Sequence, residues 1–190
     1  MRIQLVRLSI LIVLILNASC SNNFKSAPDE EQVFGALKKN QAKALIEIAG
    51  KEFYSNESLF EGNIHLEKNR LGLNISDQFE GQIMLGFYSP SWYKQFPVKY
   101  EVSETNRNNC RVMIGKIIDA QNRTGEGYMM SSGLIEITQL TQEKLIMKVD
   151  GKCGKYDGFE LSKNLLDING WIIFKKPNVL FLDMEWKDFQ

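Results

Sequence analysis

The sequence predicts a mainly β domain: an antiparallel meander that closes into an up-and-down barrel or doubles into a β-sandwich, with one N-terminal helix. Three observations carry that prediction. Apolar and polar residues alternate in short runs from about Leu45 onward, the period of half-buried strands. The connections between the runs are mostly short, whereas parallel strands need long crossovers. Only one segment, from Asp29 to about Lys43, reads at helical spacing. A sheet with one dry face has to bury it, and closing or doubling over does so.

In chain order, Pro28-Asp29-Glu30-Glu31 places proline and acids where a helix begins. The run QVFGALKKNQAK then carries the helix to about Lys43, with Val33, Phe34, Leu37 and Ala44 near one side and Gly35 weakening it. Ile46, Ile48 and Gly50 share a parity in the first strand. Phe60, Gly62, Ile64 and Leu66 alternate with Glu61, Asn63, His65 and Glu67, apolar in and polar out. Leu71, Leu73 and Ile75 form the next inward set, then Ile83, Leu85 and Phe87 opposite Gln82 and Met84. Val98, Tyr100 and Val102 alternate cleanly, and Val112, Ile114 and Ile118 follow. Ile135 and Ile137 precede Leu145, Met147 and Val149. Last come WIIFKK and VLFLDMEW around Lys176-Pro177-Asn178, with Leu180, Leu182, Met184 and Trp186 on the inward parity. The total is roughly nine to eleven short strands. The outward positions are too polar for a barrel embedded in a membrane.

The chain opens MRIQLVRLSILIVLILNASCSNN, a basic head, an apolar run from Leu8 to Leu16, then small or polar residues before Cys20. That is the plan of a secretory signal peptide. The apolar run is about half of the roughly 20 residues that a membrane-crossing helix needs. Leu16-Asn17-Ala18-Ser19-Cys20 resembles the lipobox of bacterial lipoproteins. Asn17 stands where that family usually has Leu, Val or Ile. The resemblance covers the first twenty residues or so and implies a diacylglycerol anchor on Cys20. Ser21, in place of the family's retention-signal Asp, implies the outer membrane. The expected layout is a signal peptide over 1–19, a lipidated cysteine and tether over 20–28, and one β domain over 29–190.

Composition agrees with a single exported domain. The chain has 190 residues with 23 bases and 23 acids, and the leader holds two of those bases, Arg2 and Arg7. The remainder is therefore slightly acidic, which does not suit nucleic acid. With Cys20 assigned to lipid, Cys110 and Cys153 are left as a pair, and an oxidising compartment favours a disulfide between them. Two cysteines and one histidine make a poor zinc set, so no metal or cofactor is expected.

Signals for catalysis are weak. His65 is the only histidine and falls on an outward position. No G-x-S-x-G elbow is present, and the glycines at 125, 127, 151 and 154 lack phosphate-loop spacing. The most suggestive stretch is FYSPSWYKQFPVKY, residues 87 to 100. It nominates Tyr88, Trp92, Tyr93 and Phe96 as a binding rim, because exposed rings grip sugars or proteins. By architecture alone the domain is similar to the calycins, although Gly50-Lys51-Glu52 lacks the tryptophan of the lipocalin signature. The expected function is therefore non-enzymatic: a lipid-anchored extracytoplasmic module that binds a protein, a glycan or a small apolar ligand. The rival is an envelope hydrolase built on a carboxylate pair. A hollow interior would favour the small ligand, and a filled one with an aromatic patch on the rim would favour a protein or glycan partner.

Overall fold

The computed structural model describes residues 28–106, 109–157 and 161–189. Cys20, its signal peptide and most of the tether lie outside the described residues. The elements are α1 (Glu30–Ala36), β1 (Gln41–Ile48), β2 (Lys51–Glu52), β3 (Phe60–Glu67), β4 (Arg70–Asp77), β5 (Gln82–Tyr88), β6 (Val98–Val102), β7 (Cys110–Asp119), β8 (Thr124–Leu140), β9 (Lys144–Lys155), β10 (Leu166–Lys175) and β11 (Asn178–Leu182). They form one largely antiparallel 11-stranded sheet. Eight strands close in a ring in the order β1, β3, β4, β5, β7, β8, β9, β10, with the seam made by Ala42 opposite Phe60.

The alternation in the sequence becomes the inside and outside of that ring. In β1 every second residue is buried, and Leu71, Leu73 and Ile75 of β4 face inward like Ile83, Leu85 and Phe87 of β5. The inward side chains form one contiguous cluster filled by Phe60, Phe87, Phe174, Ile64 and Leu66. Each such burial stabilises the fold by about 1.5–3 kcal/mol. Where β8 and β9 bend, Gly133 opposes Gly151 with φ of 133° and 157°. A Cβ on Gly133 would come within 2.2 Å of the Asp150 carbonyl oxygen, and one on Gly151 within 2.1 Å of that of Ser132. Only glycine admits this approach.

Four expectations are corrected. The helix ends at Ala36, not Lys43: Leu37 turns extended with ψ 145°, and residues from Gln41 pair with β10 instead. Strand pairing there overrides a weak helical preference. Ile118 points outward, because a register shift between Ile117 and Asp119 breaks the alternation of β7. Leu180 and Leu182 are also exposed, while Val179 and Phe181 pack on the core. The run VLFL is apolar on both parities, so alternation could not set its phase. The meander itself has two departures: β11 runs parallel to β3, and β6 pairs with the C-terminal half of β8 off the ring.

α1 packs outside the ring against β10. Asp29 caps it by accepting the Gln32 amide at 3.1 Å. Phe34 lies under two ammonium groups, Lys144 at 4.4 Å and Lys175 at 4.9 Å from the ring centre. Lys144 also pairs with Glu30 at 2.7 Å. On this face the cross-strand pair Ile146 and Ile173 is buried although both residues point outward. No helix among the described residues is long and apolar enough to cross a membrane.

Candidate functional site

The aromatic stretch from 87 to 100 divides into two parts. Trp92 and Tyr93 sit in a 3₁₀ turn, Trp92–Lys94, and both are buried. The Trp92 indole N–H donates to the Glu67 carbonyl at 2.9 Å, and its ring meets Phe87 edge-on with centroids 5.7 Å apart. A second 3₁₀ turn, Trp186–Phe189, brings Phe189 within 5.8 Å of Trp92, 5.7 Å of Tyr93 and 6.4 Å of Phe96. These rings close one end of the barrel. The expectation that Trp92 and Tyr93 form an exposed rim is therefore corrected: Trp92 is 5% exposed, and Phe96 packs partly against the core. Burial of that kind makes Trp→Ala cost about 3–5 kcal/mol. The C-terminal turn supplies the covering ring, and no local pattern in residues 87 to 100 announces it.

Tyr88 behaves differently. It is 48% exposed and points to the outer surface of β5. The Asn69 side-chain amide donates to its hydroxyl at 3.0 Å, its amide donates to the Asn109 carbonyl at 2.6 Å, and its carbonyl accepts from the Tyr100 hydroxyl at 3.2 Å. The ring is thus held in place before anything binds, which lowers the entropy lost on association.

Tyr88 borders a groove of about 840 Å³ on the outer face of β3, β4, β5 and β7. Strand register builds it. His65 opposes Gly72, Gly72 opposes Gly86, and Gly86 opposes Arg111. The two central glycines leave a pit where a strand face would otherwise carry side chains. On one side the next outward row is Glu67, Arg70 and Tyr88; on the other it is Asn63, Asn74, Met84 and Met113. Met84 is 40% exposed. Arg70 and Glu67 approach only to 3.9 Å, with Arg70 exposed and Glu67 half-buried, so their pairing contributes little. Tyr88 is the one residue of the expected rim that lines this groove. His65, Arg70, Gly72, Met84, Gly86, Arg111 and Met113 went unrecognised in the sequence. The partial signal was an outward parity in β4 and β5 that includes glycine, methionine and tyrosine at Gly72, Met84, Gly86 and Tyr88.

A second cleft of about 310 Å³ lies beside Pro28 and Asp29, bordered by Leu45, Glu47, Glu52, Tyr54, Lys148 and Trp171. Glu47 and Glu52 are cross-strand partners in the β1–β2 hairpin. Glu52 is exposed and Glu47 half-buried. Among the described residues, no group of three or more His, Cys, Asp and Glu side chains is placed to hold a metal ion.

The expected disulfide is not formed. Cys110 and Cys153 are both buried and both free. Their inward parity is as the sequence implies, but β8 lies between their strands. Cys153 pairs with Met130 on β8, while Cys110 lies three residues before Met113, the partner of Met129. Two strand spacings put them roughly 10 Å apart, beyond the reach of about 7 Å that a bridge allows. Burial pushes the Cys110 thiol up to about 12. Burial, with the nearby charge of Asp167, pushes Cys153 up to about 11. Neither is a reactive thiolate near neutrality.

The end of the ring opposite the Trp92 cluster is closed by Phe53, Tyr54, Phe60 and Tyr128, edge to face at 4.8 to 5.7 Å. The Lys116 ammonium donates to the Phe53 carbonyl at 2.7 Å, and Tyr54 donates its hydroxyl to the Gln82 carbonyl at 2.7 Å. Burial raises the Tyr54 pKa well above that of a free phenol. Lys43 ties the same lid by donating to the carbonyls of Asn56 and Ser58; desolvation lowers its pKa, opposed by Glu52. Both ends are thus lidded, and both clefts described above open on the outer surface. No family model, curated protein or solved structure matches this chain.

Proposed function

We propose that this protein is a lipid-anchored extracytoplasmic module, without catalytic activity, that recognises a protein partner through the outer face of β3, β4, β5 and β7. The observation that carries the reading is the groove around Gly72 and Gly86, where Tyr88, Met84, Met113, Arg70 and Arg111 surround a side-chain-free floor. Tyrosine, methionine and arginine are the residues that protein interfaces favour, and a preformed pit is where a hot-spot side chain anchors. A filled interior speaks against the small apolar ligand. The lipobox resemblance at Cys20 supplies the anchor and the outer-membrane placement.

The test is a photo-crosslinking residue at position 84 in the full chain, expressed in a bacterial envelope, with position 163 on another surface as control. A discrete protein adduct at 84 and none at 163 supports the reading. Adducts at neither position, or equally at both, overturn it.

The second reading is a hydrolase using Glu47 and Glu52, favoured by their direct cross-strand pairing beside Trp171. General-acid work requires one carboxyl in a desolvated setting, and Glu52 is exposed. The partner-binding reading is the better supported.

A further inference from the structure

We infer that the groove on β3, β4, β5 and β7 takes an extended acidic segment of its partner, with a large apolar or aromatic side chain seated over Gly72 and Gly86. This rests on the reading of that face as the partner-binding surface. The chain as a whole has equal numbers of bases and acids, so a local excess of positive charge is a departure from its average. Among the described residues that line it, the groove supplies Arg70 and Arg111 against one acid, Glu67. A 3.9 Å contact to Glu67 leaves the Arg70 fork available to a second carboxylate. An arginine fork matches a carboxylate through two parallel hydrogen bonds.

The spacing sets the shape of the occupant. His65 and Arg111 stand at the two ends of one row, three strand spacings apart, or roughly 14 Å. The rows on either side of the pit lie about 7 Å along the strands from its centre line. A single aromatic ring or leucine fills that space, and flanking carboxylates then reach Arg70 in the row beside the pit and Arg111 at the end of the pit's own row. Met84 offers a soft apolar wall that adapts to the anchor. A polyanionic glycan would use the arginines but gain nothing from Met84 or from an apolar seat, so the peptide is favoured.

The experiment pans a random 12-residue phage-displayed peptide library against the detergent-solubilised full chain, then measures synthetic copies of the enriched peptides. Acidic peptides with one aromatic or leucine anchor are expected. Their affinity should fall at least about tenfold in Arg70→Glu/Arg111→Glu and fall as salt is raised. Gly72→Trp, which fills the pit, should abolish binding while the melting temperature is retained. If the charge reversal unfolds the chain, Arg70→Gln/Arg111→Gln provides the same comparison. Enrichment of neutral or basic peptides, or affinity unchanged by the arginine changes, overturns the inference. So does retention on heparin–agarose without peptide enrichment, which assigns the groove to an anionic glycan. A crosslink at position 84 that survives the arginine changes discards the acidic class but keeps the partner; loss of a site-specific crosslink in the wild type discards both.

Discussion

Two outward-facing regions of the ring differ in what the described residues lay over them. Over β9 and β10, Ile146 and Ile173 point outward yet are buried, and α1 lies on that side with Phe34 clamped between Lys144 and Lys175. Over β4, β5 and β7, Met84 and Tyr88 point outward and stay exposed, around a floor of two glycines. The chain spends its own helix on the first face. The second keeps rigid, amphipathic side chains in water, which is the composition of a surface that another molecule covers. Isoleucine on the covered face and methionine on the open one fit the same division, since a permanent contact rewards stiff shape and a transient one rewards adaptability.

The sharpest way to break this comparison is to truncate one outward residue on each face. Ile173→Ala should lower unfolding free energy by about 2–5 kcal/mol, the range for a buried isoleucine. Met84→Ala should stay within about 0.5 kcal/mol, as for an exposed residue. Urea denaturation of the two variants measures both. Similar losses would mean that the open face is already covered within the chain; two negligible losses would mean that α1 does not protect Ile173.

A middle-sized effect comes from pH. Cys110 lies beneath the open face with its thiol pushed up to about 12 by burial, from an ordinary 9.0. Below about pH 9 the thiol is neutral in both folded and unfolded chains, so its full stabilisation is present. Between about 9 and 12 the unfolded thiol ionises while the folded one stays neutral, and stability falls as pH rises. One such proton contributes a slope of up to about 1.4 kcal/mol per pH unit. Tyr128, raised to about 12 by burial and by its bond to Glu126, pulls the same way from its own ordinary value upward. Urea midpoints at pH 8 and 10 should therefore drop, and Cys110→Ala should flatten the drop. Alkylation of native Cys110 at pH 8 as fast as that of an unfolded chain would show that the groove floor admits water, contrary to a sealed wall under a docking surface.

Much of this was legible in the sequence, and the losses have physical causes. Strict alternation gave the inside of β3, β4 and β5 residue by residue, because one parity there is wholly apolar. It failed at Leu180 and Leu182, where both parities are apolar, and at Ile118, beyond a bulge. The Cys110–Cys153 pairing failed for a topological reason: parity sets the face of a residue, while the number of strands between two residues is a property of the closed sheet. Trp92 and Tyr88 show the same limit in the candidate site. Four residues apart in one aromatic stretch, they differ because Phe189, from the far end of the chain, covers one and not the other. The groove escaped recognition because its rows, such as His65, Gly72, Gly86 and Arg111, come from four strands and exist only in register.

The smallest expected effect on stability concerns the glycines and separates the open floor from the tight bends elsewhere. A Cβ on Gly72 would meet the His65 Cβ at 3.7 Å, an ordinary contact. A Cβ on Gly170, on the β10 side under the covered face, would meet the Leu45 carbonyl oxygen at 2.4 Å and Ile46 Cα at 2.7 Å. Gly170 is therefore required by the close approach of β1, whereas nothing in the packing around Gly72 demands a glycine. Gly72→Ala should leave the melting temperature unchanged or raise it slightly, since alanine restricts the unfolded chain and stabilises by about 0.4–1 kcal/mol where the backbone accepts it. Gly170→Ala should destabilise clearly, because backbone rather than a flexible side chain stands in the way. A glycine that stability does not need, kept at the centre of the exposed groove, is what a docking pit requires. If Gly72→Ala proves as damaging as Gly170→Ala, the glycine pair serves the sheet's own geometry, and the open face loses the feature that sets it apart from the covered one.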